Sequence, residues 1–309
     1  MSIDLHVHSV NTDGTDSTEA ILDSSIELQL EAICISDHEY LTKVPQQNNI
    51  EIIQGVEISV SWDLLDDTNK FGGTHLLVYF LNEESPLDKK LHELRKNKIE
   101  RNYSIIDNLE EFEIYIDKKD LDSLETKVPG RPHIAELMVK KNYVSNISEA
   151  FSKYLGNGKI DGIDNHQLGI EEIINLAKQS KSLVFLAHPH TLMSNKLYSK
   201  SDNWIDNKFH NYIQTLKDMD IDGMEVYYPG YSHNTINTLL EVCENQKLLV
   251  SGGSDFHGSR KPNNLLGIGY ENSPIKVPYE LLSKMKELHA KLEKINWIYL
   301  NNYFFLCSK

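Results

Sequence analysis

Short apolar runs recur along the chain, separated by longer stretches with helical spacing. The runs Ile3–Leu5, Ala32–Ile35, Glu51–Ile53, Thr74–Phe80, Leu183–Leu186, Gly223–Tyr227 and Leu248–Ser251 are short and often β-branched, as strands buried on both faces are. Ser17–Leu28 opens on a Thr-Asp-Ser cap signal, and Ile170–Gln179, Asn207–Met219, His233–Gln246 and Pro278–Leu292 have amphipathic helix spacing. Strand–helix alternation predicts a parallel sheet. Seven strands with few hairpin signals predict an α/β fold, a TIM-like barrel related to the eight-stranded type with one unit fewer.

One region breaks the alternation. Residues 84–167 contain helices and turns but no strand–helix unit. Asp88–Ile106 reads as a long charged helix and Asp117–Ser123 as a short one. The turn Pro129-Gly-Arg-Pro-His133 opens a helix to about Lys141, since proline is favoured near a helix start. Ser148–Leu155 is a further helix, ended by Gly156-Asn-Gly158. The expected organisation is a discontinuous barrel (1–83 and 168–294), an inserted helical subdomain (84–167) and a tail (295–309). The tail carries Trp297, Tyr299, Tyr303, Phe304 and Phe305. It reads as an element closing the barrel bottom, or as a docking or dimer contact.

Composition narrows the class. Hydrophobic content of 40% with 25% charged residues fits a globular protein with a real core and excludes disorder. No run approaches the ~18 apolar residues of a membrane span. The first residues carry neither a basic region nor an apolar signal core. The three cysteines, Cys34, Cys243 and Cys307, are far apart and odd in number, so a reducing cytoplasm is expected. A net charge of −15 argues against stable duplex nucleic-acid binding over the whole surface. Thirteen histidines are the other unusual figure.

Those histidines are organised. Asp4-Leu-His-Val-His8-Ser9 follows the first strand, and extended alternation puts His6 and His8 on one side. Asp13-Gly14 lies in the next turn. Ser36-Asp37-His38 ends the second strand, Gly55-Val-Glu57 ends the third, and His75 lies in or beside the fourth. Ala187-His188-Pro-His190 ends the fifth strand, and Gly253-Ser-Asp255-Phe-His257-Gly258 ends the seventh. Strand C-termini of a βα barrel meet on one face, where active sites are built. A single histidine at a strand end is more often a polar cap than a ligand. Two pairs with period-two spacing and acids or histidines at four further strand ends point to metal binding. Nitrogen and oxygen donors without cysteine suit Mn, Fe, Zn or Co rather than a structural zinc. The donors exceed what one ion needs, so two or three divalent ions are expected, manganese first.

These motifs, with Gly130-Arg-Pro-His-Ile-Ala135 and Tyr154-Leu-Gly156, resemble the PHP (polymerase and histidinol phosphatase) superfamily over nearly the whole chain. They are similar to its branch with an inserted helical subdomain, which includes nucleoside 3′,5′-bisphosphate phosphatases and 5′-to-3′ exoribonucleases. The resemblance implies a three-metal site. One ion would be held by His6, His8, Glu57 and Asp255. Glu57 would bridge to a second held by His75 and His188, and a third would take Asp13, His38 and His257. Arg131 and His133 would contact the substrate phosphate, for which a planar guanidinium is well shaped. In that branch the segment after Tyr154-Leu-Gly156 usually carries Pro and Arg. Residues 157–166 here have neither, which bears on substrate grip.

The chemistry expected is metal-assisted hydrolysis of a nucleotide phosphomonoester, and of short 5′-phosphorylated RNA. His190 is a candidate to protonate a leaving group or bind phosphate, or else a rim residue. The other histidines, His92, His166, His210, His233 and His289, read as surface residues. Six bases between Lys89 and Arg101 read as a solvated helix face. Overhanging the site, they would steer a nucleotide. Tyr227, Tyr228 and Tyr231 are candidates for base stacking. A small-metabolite phosphatase, such as one for histidinol phosphate, and a non-catalytic metal-binding or partner-binding module are the competing readings. The nucleotide-type insert speaks against the first, and the intact ligand set against the second.

Overall fold

The computed structural model describes residues 2–64, 74–156, 159, 167–193 and 202–307, with side chains except at 202 and 295–307. The atypical segment 157–166, including His166, and the side chains of the aromatic tail lie essentially outside the described residues.

The strands are β1 (Ile3–Val7), β2 (Ala32–Ile35), β3 (Glu51–Ile52), β4 (Gly55–Ser61), β5 (Thr74–Tyr79), β6 (Leu168–Gly169), β7 (Leu183–Leu186), β8 (Gly223–Tyr227) and β9 (Leu249–Gly252). The first three form one parallel sheet. The others form a second sheet in the order β6-β4-β5-β7-β8-β9. Isolated bridges join the two: Val7 to Phe256, beyond β9, and His38, beyond β2, to Glu57 in β4.

Two features depart from the parallel pattern expected. Glu57 does not end the third strand. It is the third residue of a separate strand, β4, whose alternation of Val56, Ile58 and Val60 with Glu57, Ser59 and Ser61 is a strand period in its own right. The strand β5 runs antiparallel to both of its neighbours, β4 and β7. Its start therefore lies beside the C-terminal end of β7: the Ala187 amide donates to the His75 carbonyl at 3.0 Å. Reversal of this one strand carries His75 to the same rim as residues that follow β1, β2, β7 and β9.

The helices are α1 (Thr18–Glu27), α2 (Pro86–Leu109), α3 (Lys118–Asp122), α4 (Arg131–Lys140), α5 (Ile147–Ala150), α6 (Ile170–Gln179), α7 (Asn207–Asp218), α8 (His233–Gln246) and α9 (Tyr279–Cys307). Side-chain caps set several starts. Ser17 accepts from the Ala20 amide, Ser85 from Asp88, Asp206 from Phe209 and Ser232 from Thr235. The last helix continues past Leu292 to Cys307, so the tail extends α9 rather than forming a separate element.

Strand alternation divides the core. Val56, Ile58, Leu76, Val78, Val184 and Leu186 pack outward against apolar faces of α6, α7 and α8. Leu77, Tyr79, Leu183 and Phe185 point the other way, to Ile3, Leu5 and Ala32, and are covered by Leu282 and Met285 of α9. Because both faces are buried, the strands read as continuous apolar runs. A third apolar cluster draws only on residues between Ile105 and Leu155. Helix α2 serves two clusters: Leu87, Leu91 and Leu94 enter the outer core, while Ile105, Ile106 and Leu109 enter the helical one. His289 is half-buried and stacks on Phe80 at 4.5 Å, not on the surface as expected. His92, His210 and His233 are exposed.

Candidate metal centre

The Glu57 carboxylate is the hub of the rim. Its Oε1 lies 2.8 Å from His75 Nδ1 and 2.9 Å from His188 Nε2. Its Oε2 lies 3.1 Å from His8 Nε2, 3.3 Å from His6 Nε2 and 3.4 Å from His38 Nδ1. Asp255 Oδ1 is 3.5 Å from His6 Nε2 and 3.6 Å from His8 Nε2. On the other flank, Asp13 reaches His8 Nδ1, His38 Nε2 and His257 Nε2, each at 3.5 Å. The nine side chains expected to share one rim therefore meet there.

Several donor atoms group tightly enough to share an ion: His8, Asp13, His38 and His257; His6, His8 and Glu57; His38, Glu57 and His75. Two atoms each ~2.1 Å from an ion are roughly 3.0 Å apart at a right angle and roughly 3.4 Å apart at the tetrahedral angle. The observed separations span that range. The His6 and His8 Nε2 atoms face each other at 3.1 Å. Among the described residues the buried His8 Nδ1 and His38 Nδ1 have no hydrogen-bond partner, although carboxylate oxygens lie close by. Buried imidazole nitrogens turned toward carboxylates and left without hydrogen bonds are what a cation site requires.

The electrostatics keep the carboxylates ionised and divide the imidazoles. Burial, with His257 close by, pushes His8 down to about 3, which leaves one ring nitrogen with a free lone pair. Burial acts against ionisation of Glu57, but the imidazoles of His6, His75 and His38 hold it well below the usual carboxylate range. Asp255 stays ionised against burial through Lys261, His257 and His6. Against burial, Glu225, Glu57 and Asp255 raise His6 well above the usual imidazole value, and Asp13 and Glu57 raise His38 to about 9; a bound cation would displace these protons.

Backbone strain aims two of these residues. His188 has φ 27° and Asp255 has φ 50°, conformations that residues with a side chain rarely adopt. Gly253 is needed for close approach, because a Cβ there would lie 2.4 Å from the His6 amide nitrogen.

Behind the rim lie buried carboxylates that the motif spacing did not single out. Asp37 accepts from the Ser9 amide and from the hydroxyls of Ser9, Thr12 and Thr42, and so ties down the turn that carries Asp13. Asp4 accepts from the amides of Ser254, Gly267 and His6. Glu225, in the middle of β8, meets His6 Nδ1 at 2.8 Å and accepts from the His188 amide at 2.7 Å. A lone acid inside the apolar run Gly223–Tyr227 was the available signal.

The rim opens into a cleft shared with the helical segment. One lobe is lined by Asp13, His38 and His75 and, opposite, by Lys98, Arg101, Arg131 and His133. A second is lined by Glu57, His188, Asp255 and His257 with Phe151, Arg260 and Lys261. Arg131 donates to the Leu155 carbonyl at 3.2 Å, and its guanidinium lies over the Phe151 ring. His133 Nδ1 accepts from the Gly130 amide at 3.0 Å, fixing the start of α4 at the cleft wall.

The basic helix is more than a solvated face. Arg95 and Lys98 turn inward to Glu39, at 2.7 Å from its carbonyl and 2.6 Å from its carboxylate, and Lys98 and Arg101 line the cleft. Of the candidate stacking tyrosines, Tyr227 ends β8 half-buried and Tyr228 lines the second lobe. Tyr228 is buried and donates to Asp255 Oδ2 at 2.7 Å, and Tyr231 is buried with its hydroxyl 2.8 Å from His190 Nδ1. His190 is likewise buried and lines neither lobe. Burial and the neighbouring His188 push it down to about 2. A neutral, enclosed ring is ill suited to protonate a leaving group.

The PHP domain signature matches residues 4–251. The chain is 26% identical over 267 residues to the 5′-3′ exoribonuclease Rnm of Escherichia coli, covering 82% of this chain and 84% of that one. It is 22% identical over 307 residues to the 3′,5′-nucleoside bisphosphate phosphatase of Chromobacterium violaceum, covering 94% and 98%. The fold matches a candidate metal-dependent phosphoesterase from Bifidobacterium adolescentis with a TM-score of 0.73 at 21% identity, over 93% of this chain and 96% of that one. Among the described residues no helix is long and apolar enough to cross a membrane. The chain belongs to the PHP domain family.

Proposed function

We propose that the protein hydrolyses terminal phosphate esters of nucleotides, as 3′,5′-bisphosphates or 5′-monophosphates, and trims short 5′-phosphorylated RNA. The observation that carries this reading is a single cleft with two chemically different walls. One wall holds Asp13, His38 and His75 of the donor cluster, and the other holds Lys98, Arg101, Arg131 and the start of α4. A nucleotide with two phosphate groups needs both walls at once, whereas a small phosphate ester needs only the first. The named activities of the Escherichia coli and Chromobacterium violaceum relatives support the same class.

In this reading His6, His8, Glu57 and Asp255 hold one divalent ion, and Glu57, His75 and His188 a second. Asp13, His38 and His257 hold a third, manganese being the expected metal. Such ions supply Lewis acidity and activate water near neutral pH. Arg131 grips phosphate oxygens with a planar fork. The N-terminus of α4 adds the positive end of its helix dipole to the same wall. Phe151 and Ile147 give one side of the cleft an apolar lining. Among the described residues, neither serine beside the ligand motifs is placed as a nucleophile: Ser9 is engaged with Asp37, and Ser254 is buried. The two bridged sheets are taken as a distorted seven-unit barrel, with residues 84–167 as its substrate-facing insert.

The test is hydrolysis with Mn²⁺ of a nucleoside 3′,5′-bisphosphate, a nucleoside 5′-monophosphate, histidinol phosphate and 5′-phosphorylated short RNA, side by side. Nucleotide esters turned over well ahead of histidinol phosphate would support the proposal. The reverse order would overturn it.

A further inference from the structure

We infer that Glu225 is a positioning residue that sets two metal ligands on opposite sides of Glu57 from a single carboxylate. The inference rests on the ion-binding reading of His6 and His188. Glu225 is fully enclosed, and among the described residues it has no Lys or Arg within ion-pair distance. A carboxylate buried without a cation is costly unless its oxygens are fully used. Here they are used on the metal centre. Oε1 lies 2.8 Å from His6 Nδ1, and Oε2 accepts from the His188 amide at 2.7 Å.

Each contact does a specific job. An ionised carboxylate can only accept, so His6 must carry its proton on Nδ1. That leaves the His6 Nε2 lone pair facing His8 Nε2 at 3.1 Å, Glu57 Oε2 at 3.3 Å and Asp255 Oδ1 at 3.5 Å. The second contact holds the His188 backbone in its strained conformation at φ 27°. In that conformation His188 Nε2 sits 2.9 Å from Glu57 Oε1. One side chain thus fixes a tautomer on one flank of the hub and a backbone bend on the other. Its place in β8, paired to β9 through Ser251 and adjacent to β7, gives it a rigid mounting.

The isosteric change Glu225→Gln discriminates sharply. A glutamine has one acceptor and one donor end. If its NH2 faces the His188 amide, two donors oppose each other. If it faces His6 Nδ1, the His6 proton is driven to Nε2 and the lone pair is lost. Either way ligation suffers without a change in volume.

The experiment compares wild type, Glu225→Gln and His6→Ala as full chains, by Mn²⁺ titration against a competing chelator and by metal stoichiometry. Phosphatase activity is followed against Mn²⁺ concentration. The expected result for Glu225→Gln is Mn²⁺ affinity weaker by about 10- to 100-fold, with KM unchanged once the metal is saturating. Long-range ¹⁵N–¹H correlation on the zinc-loaded wild type should find the His6 proton on Nδ1. Should Glu225→Gln fail to fold, Glu225→Asp, which keeps the charge but withdraws it from His6 and the His188 amide, should show the same loss of Mn²⁺ affinity. Wild-type affinity in Glu225→Gln, or a His6 proton on Nε2, would overturn the inference while leaving the metal centre standing. A wild-type chain that bound no divalent ion would overturn the metal centre itself, and the inference with it.

Discussion

Asp37 offers a test of how the site is held rather than of what it binds. Its Oδ1 accepts from the Ser9 amide at 2.8 Å and the Thr12 hydroxyl at 2.6 Å. Its Oδ2 accepts from the hydroxyls of Ser9 and Thr42, at 2.6 and 2.5 Å. In Asp37→Asn the Ser9 amide cannot reverse, so the new carbonyl oxygen must take the Oδ1 place. The new NH2 then faces two hydroxyls, which must turn to accept. Four charge-assisted bonds become neutral ones, at about 1 kcal/mol each. The smaller cost of burying a neutral amide returns part of this, leaving a loss of about 2–4 kcal/mol. An unfolding entropy of about 2.1 cal/mol/K per residue gives roughly 0.65 kcal/mol/K for 309 residues. The expected fall in Tm is therefore about 3–6 °C by scanning calorimetry. Because Ser9 and Thr12 frame the turn that carries Asp13, Mn²⁺ stoichiometry should fall as well. A variant with native circular dichroism and a stability loss below about 0.5 kcal/mol would refute the claim that this network holds the turn.

Other expectations follow from the same geometry. Arg131→Ala should raise KM for nucleotide substrates about 10- to 100-fold, the value of one or two charge-assisted bonds to phosphate, and metal analysis should find ion content unchanged. Gly253→Ala places a Cβ 2.4 Å from the His6 amide nitrogen and 2.5 Å from the His6 Cβ, which must shift the strand. Urea denaturation should register a loss of about 1–3 kcal/mol, accompanied by weaker Mn²⁺ binding. Removal of divalent ions by a chelator should abolish activity and lower Tm. Restoring Mn²⁺ at 100 times its Kd should return about 2.7 kcal/mol per site, or about 4 °C on the same entropy scale.

Much of the site was legible because its donors sit at regular places: period-two pairs after β1 and β9, and single residues after β2 and β7. Helices α6 and α8 begin and end where their apolar periodicity does. What escaped has physical reasons. Strand direction leaves no mark on a run buried on both faces, so the reversal of β5, which delivers His75, could not be read from its composition. The strand β4 could have been found, since Val56, Ile58 and Val60 alternate with polar residues, but Gly55-Val-Glu57 was absorbed into the strand before it. The inward turn of Lys98 depends on Glu39, which is distant in sequence and has a positive φ of 48°. Glu225 looked like an ordinary acid in a strand. Only its two partners, 219 and 37 residues away, reveal its use.

The central claim is that the Glu57-centred cluster binds divalent ions and uses them to hydrolyse nucleotide phosphate esters. The most direct measurement follows phosphate or nucleotide release from a nucleoside 3′,5′-bisphosphate and from short 5′-phosphorylated RNA, with Mn²⁺ and with chelator. Wild type, Glu57→Gln and Asp255→Ala are assayed alongside metal analysis of each. The account predicts two or three ions and turnover in the wild type, loss of turnover with chelator, and fewer ions with at least about 1,000-fold slower turnover in both variants, as expected when groups stabilising the transition state are removed. Full Mn²⁺-dependent activity in both variants, or no hydrolysis of any phosphate ester by a fully metal-loaded wild type, would contradict it.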